Sequence, residues 1–262
     1  MEIKEALVVY ARPYAREQKL TYRTVKKTLE KINASIESVE RMELTAKNFI
    51  DKDIVIAVGG DGTFLRAAQF IKDETQIIGV NSDIKSKEGF YMKCNRFDFK
   101  NKLQKMLKNK FRISKLLRLE ASINDKIVGE LALNEFYFGA SKAYMTSRYK
   151  IRIGNRSESQ RSSGVIVFTP TGSRAWSRAV GVKQLPINFR GFGFIVREPF
   201  EYKLFSNYKL KKKIVNNQSV VLKSEMQSGI LVADSISKEY TINYGDTLKI
   251  GVSDKSVNTI DV

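Results

Sequence analysis

The sequence has no histidine, one cysteine and one tryptophan among its 262 residues. Without histidine the commonest general base and metal ligand is gone, so any base must be an Asp, Glu, Lys or Tyr. The lone Cys94 excludes an internal disulfide framework and a cysteine-built zinc site, and fits a reducing cytoplasm. No apolar run approaches the roughly 18 residues that a membrane-spanning helix needs. The strongest, Ile54 to Val58, is long enough only for a strand. The chain passes from Glu2 and Glu5 directly into the apolar run Ala6 to Tyr10, a pattern unlike a signal or transit peptide. The expected location is therefore cytoplasmic, with no membrane partner.

A hydrophobic content of 42% is ample for a buried core, and the length suits one large domain or two modest ones. The net charge of +18 would concentrate anions such as nucleotides, polyphosphates or nucleic acid around the protein. A lysine-rich solvated surface gives the same number, so charge alone names no function. The densest basic run, Lys209 with Lys211, Lys212 and Lys213, reads as an exposed loop.

Apolar periodicity predicts strands over 6–10, 54–58 and 77–80, and helices over 17–32, 63–71 and 100–108. This βαβ alternation implies a Rossmann-like parallel sheet, and such sheets bind ligands beyond the carboxyl ends of their strands. The segments after Tyr10, Val58 and Val80 are where chemistry belongs. From Phe111 the texture changes to short alternating runs, at 119–123 and 127–133 around an Asn124-Asp125 turn, then 150–153, 165–168, 219–222, 230–233 and 247–250. The expected fold is an α/β domain over 1–109 and a β-rich, sandwich-like domain over 110–262, with no internal repeat.

Gly59-Gly60-Asp61-Gly62-Thr63 lies between a buried strand and a helix, as a phosphate-binding turn requires. Glycines let backbone N–H groups approach phosphate oxygens, and a helix N-terminus adds donors and partial positive charge. Asp61 needs a separate reason, because a carboxylate repels phosphate. It can take the proton of an attacking hydroxyl in phosphoryl transfer, or it can cap the following helix. No Walker loop occurs, and the Gly-x-Gly-x-x-Gly spacing of dinucleotide dehydrogenases is missing.

The turn resembles that of the superfamily shared by NAD kinases, 6-phosphofructokinases and diacylglycerol or sphingosine kinases. Two further strings resemble NAD kinases in particular: Leu133-Asn134-Glu135, and Thr169-Pro170-Thr171-Gly172-Ser173 continuing into Arg174-Ala175-Trp176-Ser177. Gly79 to Asp83, Ser86 to Phe90 and Ser162-Ser163-Gly164 look most like the mitochondrial-type subgroup. Ser163 stands where the commoner bacterial type has an Asp that helps hold the nicotinamide end, and Trp176 where the usual residue is Tyr.

The resemblance implies phosphorylation of the adenosine-ribose 2′-hydroxyl of NAD, with ATP or polyphosphate as donor and Mg²⁺ as cofactor, to give NADP. It implies that Asp61 is the base and that Gly60, Asp61, Gly62, Phe90, Asn134, Glu135, Ser163, Thr171, Ala175 and Trp176 bind NAD. For the donor phosphates the candidates are Gly59, Gly60, Thr63 and Arg174, whose guanidinium can bind phosphate oxygens bidentately, with Arg161 and Arg178 as weaker candidates of the same kind. No protein-only metal cage is expected, so Mg²⁺ would arrive on the donor, with Asp83 and Asp234 as auxiliaries. A homodimer or homotetramer is implied, and the C-terminal end is left free to pack back on the first domain. The rival readings are a diacylglycerol-type lipid kinase, which would lack the Thr-Pro-Thr-Gly-Ser string, and a non-enzymatic nucleotide- or nucleic-acid-binding protein, which would leave Asp61 unexplained.

Overall fold

Strand β3 (Ile54–Gly59) is buried along its whole length and lies inside a seven-stranded sheet of the computed structural model, which describes residues 1–12, 15–202, 207–235 and 238–262. The chain divides into two compact units, Met1–Lys115 with Val257–Val262, and Leu116–Ser256.

In the first unit β1 (Glu5–Tyr10) pairs in parallel with both β2 (Ser35–Glu40) and β3. Strand β4 (Gln76–Asn81) continues the sheet beside β3, and β5 (Met92–Asn95) also pairs with β4. The last strand of the chain, Val257–Asp261, returns to pair in parallel with β4 and separates it from β6 (Arg112–Leu116). The helices are α1 (Arg16–Glu30), α2 (Asp61–Ala68) and α3 (Phe99–Leu107). Val25 and Leu29 of α1, with Phe99, Leu103 and Met106 of α3, bury their apolar faces on Val8, Ile56 and Val80 of the sheet. This is the parallel α/β layer expected from periodicity. Strand β2 was not expected: its run Ser-Ile-Glu-Ser-Val-Glu is mostly polar because it is the sheet edge and only half buried.

The second unit holds two six-stranded sheets. One comprises β7 (Leu119–Ile123), β8 (Lys126–Ile127), β10 (Ser147–Ile153), β11 (Arg156–Ser162), β15 (Val220–Ser224) and β18 (Thr247–Val252). The other comprises β9 (Glu135–Ala140), β12 (Val165–Phe168), β13 (Phe192–Val196), β14 (Lys212–Val215), β16 (Gly229–Ala233) and β17 (Tyr240–Ile242). The pairings are antiparallel, and β10 alternates strictly between buried and exposed residues, as a sheet with one covered face must. Phe136, Phe138, Phe192 and Phe194 of one sheet share a core with Tyr149, Ile151, Leu222 and Ile250 of the other.

One expected strand is corrected. Of the run 127–133, Ile127 lies in β8 and Val128 and Ala132 still bond to β7 at Ala121 and Leu119, but the run is not a continuous strand, and Asn134-Glu135 stand at the start of β9, not at the end of a strand. Phe136 and Phe138, buried in a strand paired on both sides by β12 and β16, outweigh the broken alternation around Gly129.

Candidate active site

The sheet order is β2-β1-β3-β4, so the chain passes from β1 to β2 on one side and from β3 to β4 on the other, and a crevice opens between the carboxyl ends of β1 and β3. The glycine turn closes this crevice at the end of β3. Gly60 is the extended residue before α2, and Asp61 is the first helical residue. By helix geometry the N–H groups of Asp61 and Gly62 have no acceptor within the helix, whereas those of Thr63 and Phe64 return to the carbonyl of Gly60 at 2.9 and 3.3 Å. Gly59 is required by space: a Cβ there would lie 2.2 Å from Thr63 Oγ1. Thr63 itself is buried, and its hydroxyl has no hydrogen-bond partner.

Asp61 does not cap α2. Its Oδ2 accepts the N–H of Phe90 at 3.0 Å, and its Oδ1 accepts that of Tyr91 at 2.8 Å. The two bonds fix the carboxylate against the segment that follows β4. Tyr91 is buried and stacks on Phe64 of α2 at 4.8 Å, and half-buried Phe90 meets Tyr91 edge to face. Around the turn lies a cleft of about 650 Å³ lined by Arg12, Glu40, Arg41, Gly60, Gly62 and Lys87, among others. Glu40 is committed to the loops, since it accepts the N–H of Arg12 at 3.3 Å and of Met42 at 2.7 Å.

In the second unit Asp234 organises the Asn134-Glu135 segment. Its buried carboxylate accepts the N–H groups of Leu133, Asn134 and Glu135 at 2.9, 2.6 and 3.1 Å. Glu135 is also buried, and its Oε2 has no partner. Burial and the nearby negative charge of Asp234 push its carboxyl up to about 8, so at neutral pH it is mostly protonated and able to donate as well as accept. Thr169 and Thr171 both donate to the carbonyl of Leu133, at 2.6 and 2.7 Å. Gly172 packs so closely on this segment that a Cβ would come within 1.9 Å of the Asn134 carbonyl oxygen.

Arg174 sits differently from a free phosphate clamp. Its Nη1 donates to the carbonyls of Pro170 at 3.0 Å and Leu185 at 2.6 Å, so the guanidinium braces the turn. Arg161 is half buried and Arg178 exposed. Ala175 precedes the short helix Trp176–Ala179, and Trp176 packs on Tyr137 with ring centroids 5.1 Å apart. The Tyr137 hydroxyl donates to the carbonyl of Ser163 at 2.9 Å. Arg197, across the strand pair from Ser163, lies over the Trp176 ring at 4.9 Å. Nothing in the linear motifs pointed to Arg197 or to Asp234 as an organiser, because strand pairing and a distant turn bring them in.

Among the described residues no group of three or more His, Cys, Asp or Glu side chains is placed to hold a metal ion. The proposed auxiliaries are otherwise engaged: Asp83 accepts from the Ser86 hydroxyl at 2.7 Å, and Asp234 from its three N–H groups. The donor set does not fit a metal held by the protein alone.

Residues 3–111 match the family model of the ATP-NAD kinase N-terminal domain. A NAD kinase of Thermoplasma acidophilum is 29% identical over 211 residues, covering 79% of this chain and 73% of that protein. A protein of Oryza sativa subsp. japonica named "Probable NADH kinase" is 27% identical over 256 residues, covering 90% of this chain and 78% of that protein. The crystal structure of an NAD kinase from Archaeoglobus fulgidus in complex with ATP superposes with a TM-score of 0.78 at 21% identity, over 97% of this chain and 92% of that one. That likeness is one of fold. No described helix is long and apolar enough to cross a membrane.

Proposed function

We propose that this chain is a member of the NAD kinase family that phosphorylates NAD or NADH with ATP, and that the 2′-hydroxyl of the adenosine ribose is the acceptor. The observation that carries the catalytic assignment is the Asp61 carboxylate, fixed by two N–H donors at the mouth of a glycine turn and in front of a helix N-terminus. In this reading Asp61 takes the hydroxyl proton, the ribose oxygen forms its bond to the γ-phosphorus, and the bond from that phosphorus to the bridging oxygen breaks to release ADP. The free N–H groups of α2 receive phosphate oxygens. Magnesium would be held chiefly by the donor's phosphates, since Asp83 and Asp234 are engaged in hydrogen bonds of their own.

Asn134, Glu135, Thr171, Ala175 and Trp176 are assigned to the dinucleotide, with Ser163 at its nicotinamide end and Phe90 as a wall of the first unit. The protonated Glu135 suits a ribose hydroxyl, to which it can donate and from which it can accept. Arg174 is assigned to holding the turn instead of the donor. We read the chain as nearest the mitochondrial-type subgroup, acting as a homodimer or homotetramer in a reducing cytosol. The test is incubation with NAD or NADH, Mg²⁺ and either ATP or polyphosphate, with product read by an NADP-specific dehydrogenase after oxidation where needed. Formation of NADP or NADPH supports the reading. No product with any donor contradicts it.

A further inference from the structure

We propose that Lys87 and Arg41 grip the terminal phosphates of the donor over the Gly60–Gly62 turn and carry the charge that develops as the phosphoryl group leaves. This rests on the kinase reading and adds two residues that none of the sequence motifs contains in a donor role.

The glycines of the turn are the seats of these two side chains. A Cβ on Gly60 would lie 3.1 Å from Lys87 Cδ, and one on Gly62 would lie 3.5 Å from Arg41 Nη1. The lysine stem therefore crosses one glycine, and the guanidinium reaches the other. Both line the same cleft.

Lys87 is held in place by its own loop. Asn81 Nδ2 donates to the Lys87 carbonyl at 3.1 Å, the Lys87 N–H returns to the Asp83 carbonyl at 3.1 Å, and its Nζ donates to Ser82 Oγ at 2.9 Å. Beyond it, Gly89 turns the chain at a φ of +70°, which favours glycine, and Phe90 and Tyr91 then bind Asp61. One loop thus delivers both the partners of Asp61 and the ammonium. Arg41 arrives from the end of β2, where its N–H donates to the Tyr10 carbonyl at 2.9 Å.

Two cations converging on one cleft repel each other, and burial adds to the cost. The Lys87 ammonium is held below the ordinary lysine range by burial first and by Arg41 as well, with Asp83 opposing. Among the described residues neither cation has a carboxylate within salt-bridge distance, and Glu40, the carboxylate in the cleft, is bonded to backbone N–H groups. A polyanion between Lys87, Arg41 and the first N–H groups of α2 relieves this repulsion. In phosphoryl transfer such cations act most strongly on the oxygens whose charge grows in the transition state.

The experiment compares wild type with Lys87→Gln, Arg41→Gln and the double variant, with Lys85→Gln as control, because Lys85 is exposed on the same loop and does not line the cleft. Melting temperature establishes folding, and kcat and KM are measured separately for ATP with Mg²⁺ and for NAD. Loss in kcat/KM for ATP of about 10- to 100-fold is expected in each single variant, with KM for NAD within about twofold and Lys85→Gln at wild-type rate. Unchanged ATP parameters in folded Lys87→Gln and Arg41→Gln, or an equal loss in Lys85→Gln, would overturn the proposal. Calorimetric titration with inorganic tripolyphosphate separates it from the kinase reading. Binding by wild type that the double variant loses supports the phosphate grip even if no NADP is formed, and equal binding by both contradicts it whatever the activity.

Discussion

Two glycine turns, Gly59–Thr63 in the first unit and Thr169–Ser173 in the second, each follow a fully buried strand, yet they use their polar groups in opposite ways. In the second turn Thr169, Thr171, Ser173 and Arg174 all spend side-chain donors on nearby backbone carbonyls. In the first, a carboxylate is aimed by a separate loop while helix N–H groups, a lysine and an arginine converge on open space. A turn bonded to itself is rigid and suits recognition. One that keeps donors uncommitted suits a charge that moves during reaction.

Glu135 gives the sharpest test of the second turn's buried network. Its carboxyl is raised from an ordinary 4.5 to about 8 by burial and by Asp234, so the folded protein keeps a proton that the unfolded chain releases. That contribution is complete below about pH 4.5 and is lost as pH rises through about 8, on the order of 3–5 kcal/mol in all. The Tm of wild type should fall from mildly acidic to mildly alkaline pH more steeply than that of Glu135→Gln. Parallel slopes would mean that Glu135 holds no extra proton in the folded protein.

The paired variants Gly172→Ala and Gly60→Ala come next. At 172 the new methyl meets immovable backbone of Asn134, and a loss of about 1–3 kcal/mol is expected, lowering Tm by roughly 2–4 °C per kcal/mol. At 60 it meets only the flexible Lys87 stem, so Tm should hold while turnover with ATP falls. Equal destabilisation by both would erase the contrast. The smallest effect expected is for Trp176→Ala, which should raise KM for NAD by about 3- to 10-fold through loss of an aromatic surface, with kcat little changed. An unaltered KM would remove Trp176 from the dinucleotide site.

The class of each unit was legible because buried parallel strands read as continuous apolar runs and half-covered antiparallel strands as alternation. Edge strand β2 escaped, since half exposure leaves little apolar signal in Ser35 to Glu40. Around the site, the Gly59–Thr63 turn was visible because its glycines and carboxylate are contiguous. Arg41 and Lys87 were not, because they reach the turn only through the ends of β2 and the loop after β4. Asp234 was likewise hidden as an organiser, since it acts on Leu133 to Glu135 from a position 99 to 101 residues away. Arg174 is the opposite case: a guanidinium beside a phosphate-like turn suggests a clamp, and only the fold shows that nearby carbonyls hold its Nη1.

Whether Asp61 accepts the ribose hydroxyl's proton is decided by Asp61→Asn, assayed for kcat with NAD, ATP and Mg²⁺ and for NAD affinity by calorimetry. A loss of about 10²- to 10⁴-fold in kcat is expected, with NAD affinity essentially retained, because the amide keeps the shape and removes the proton acceptor. Turnover near the wild-type rate would contradict it.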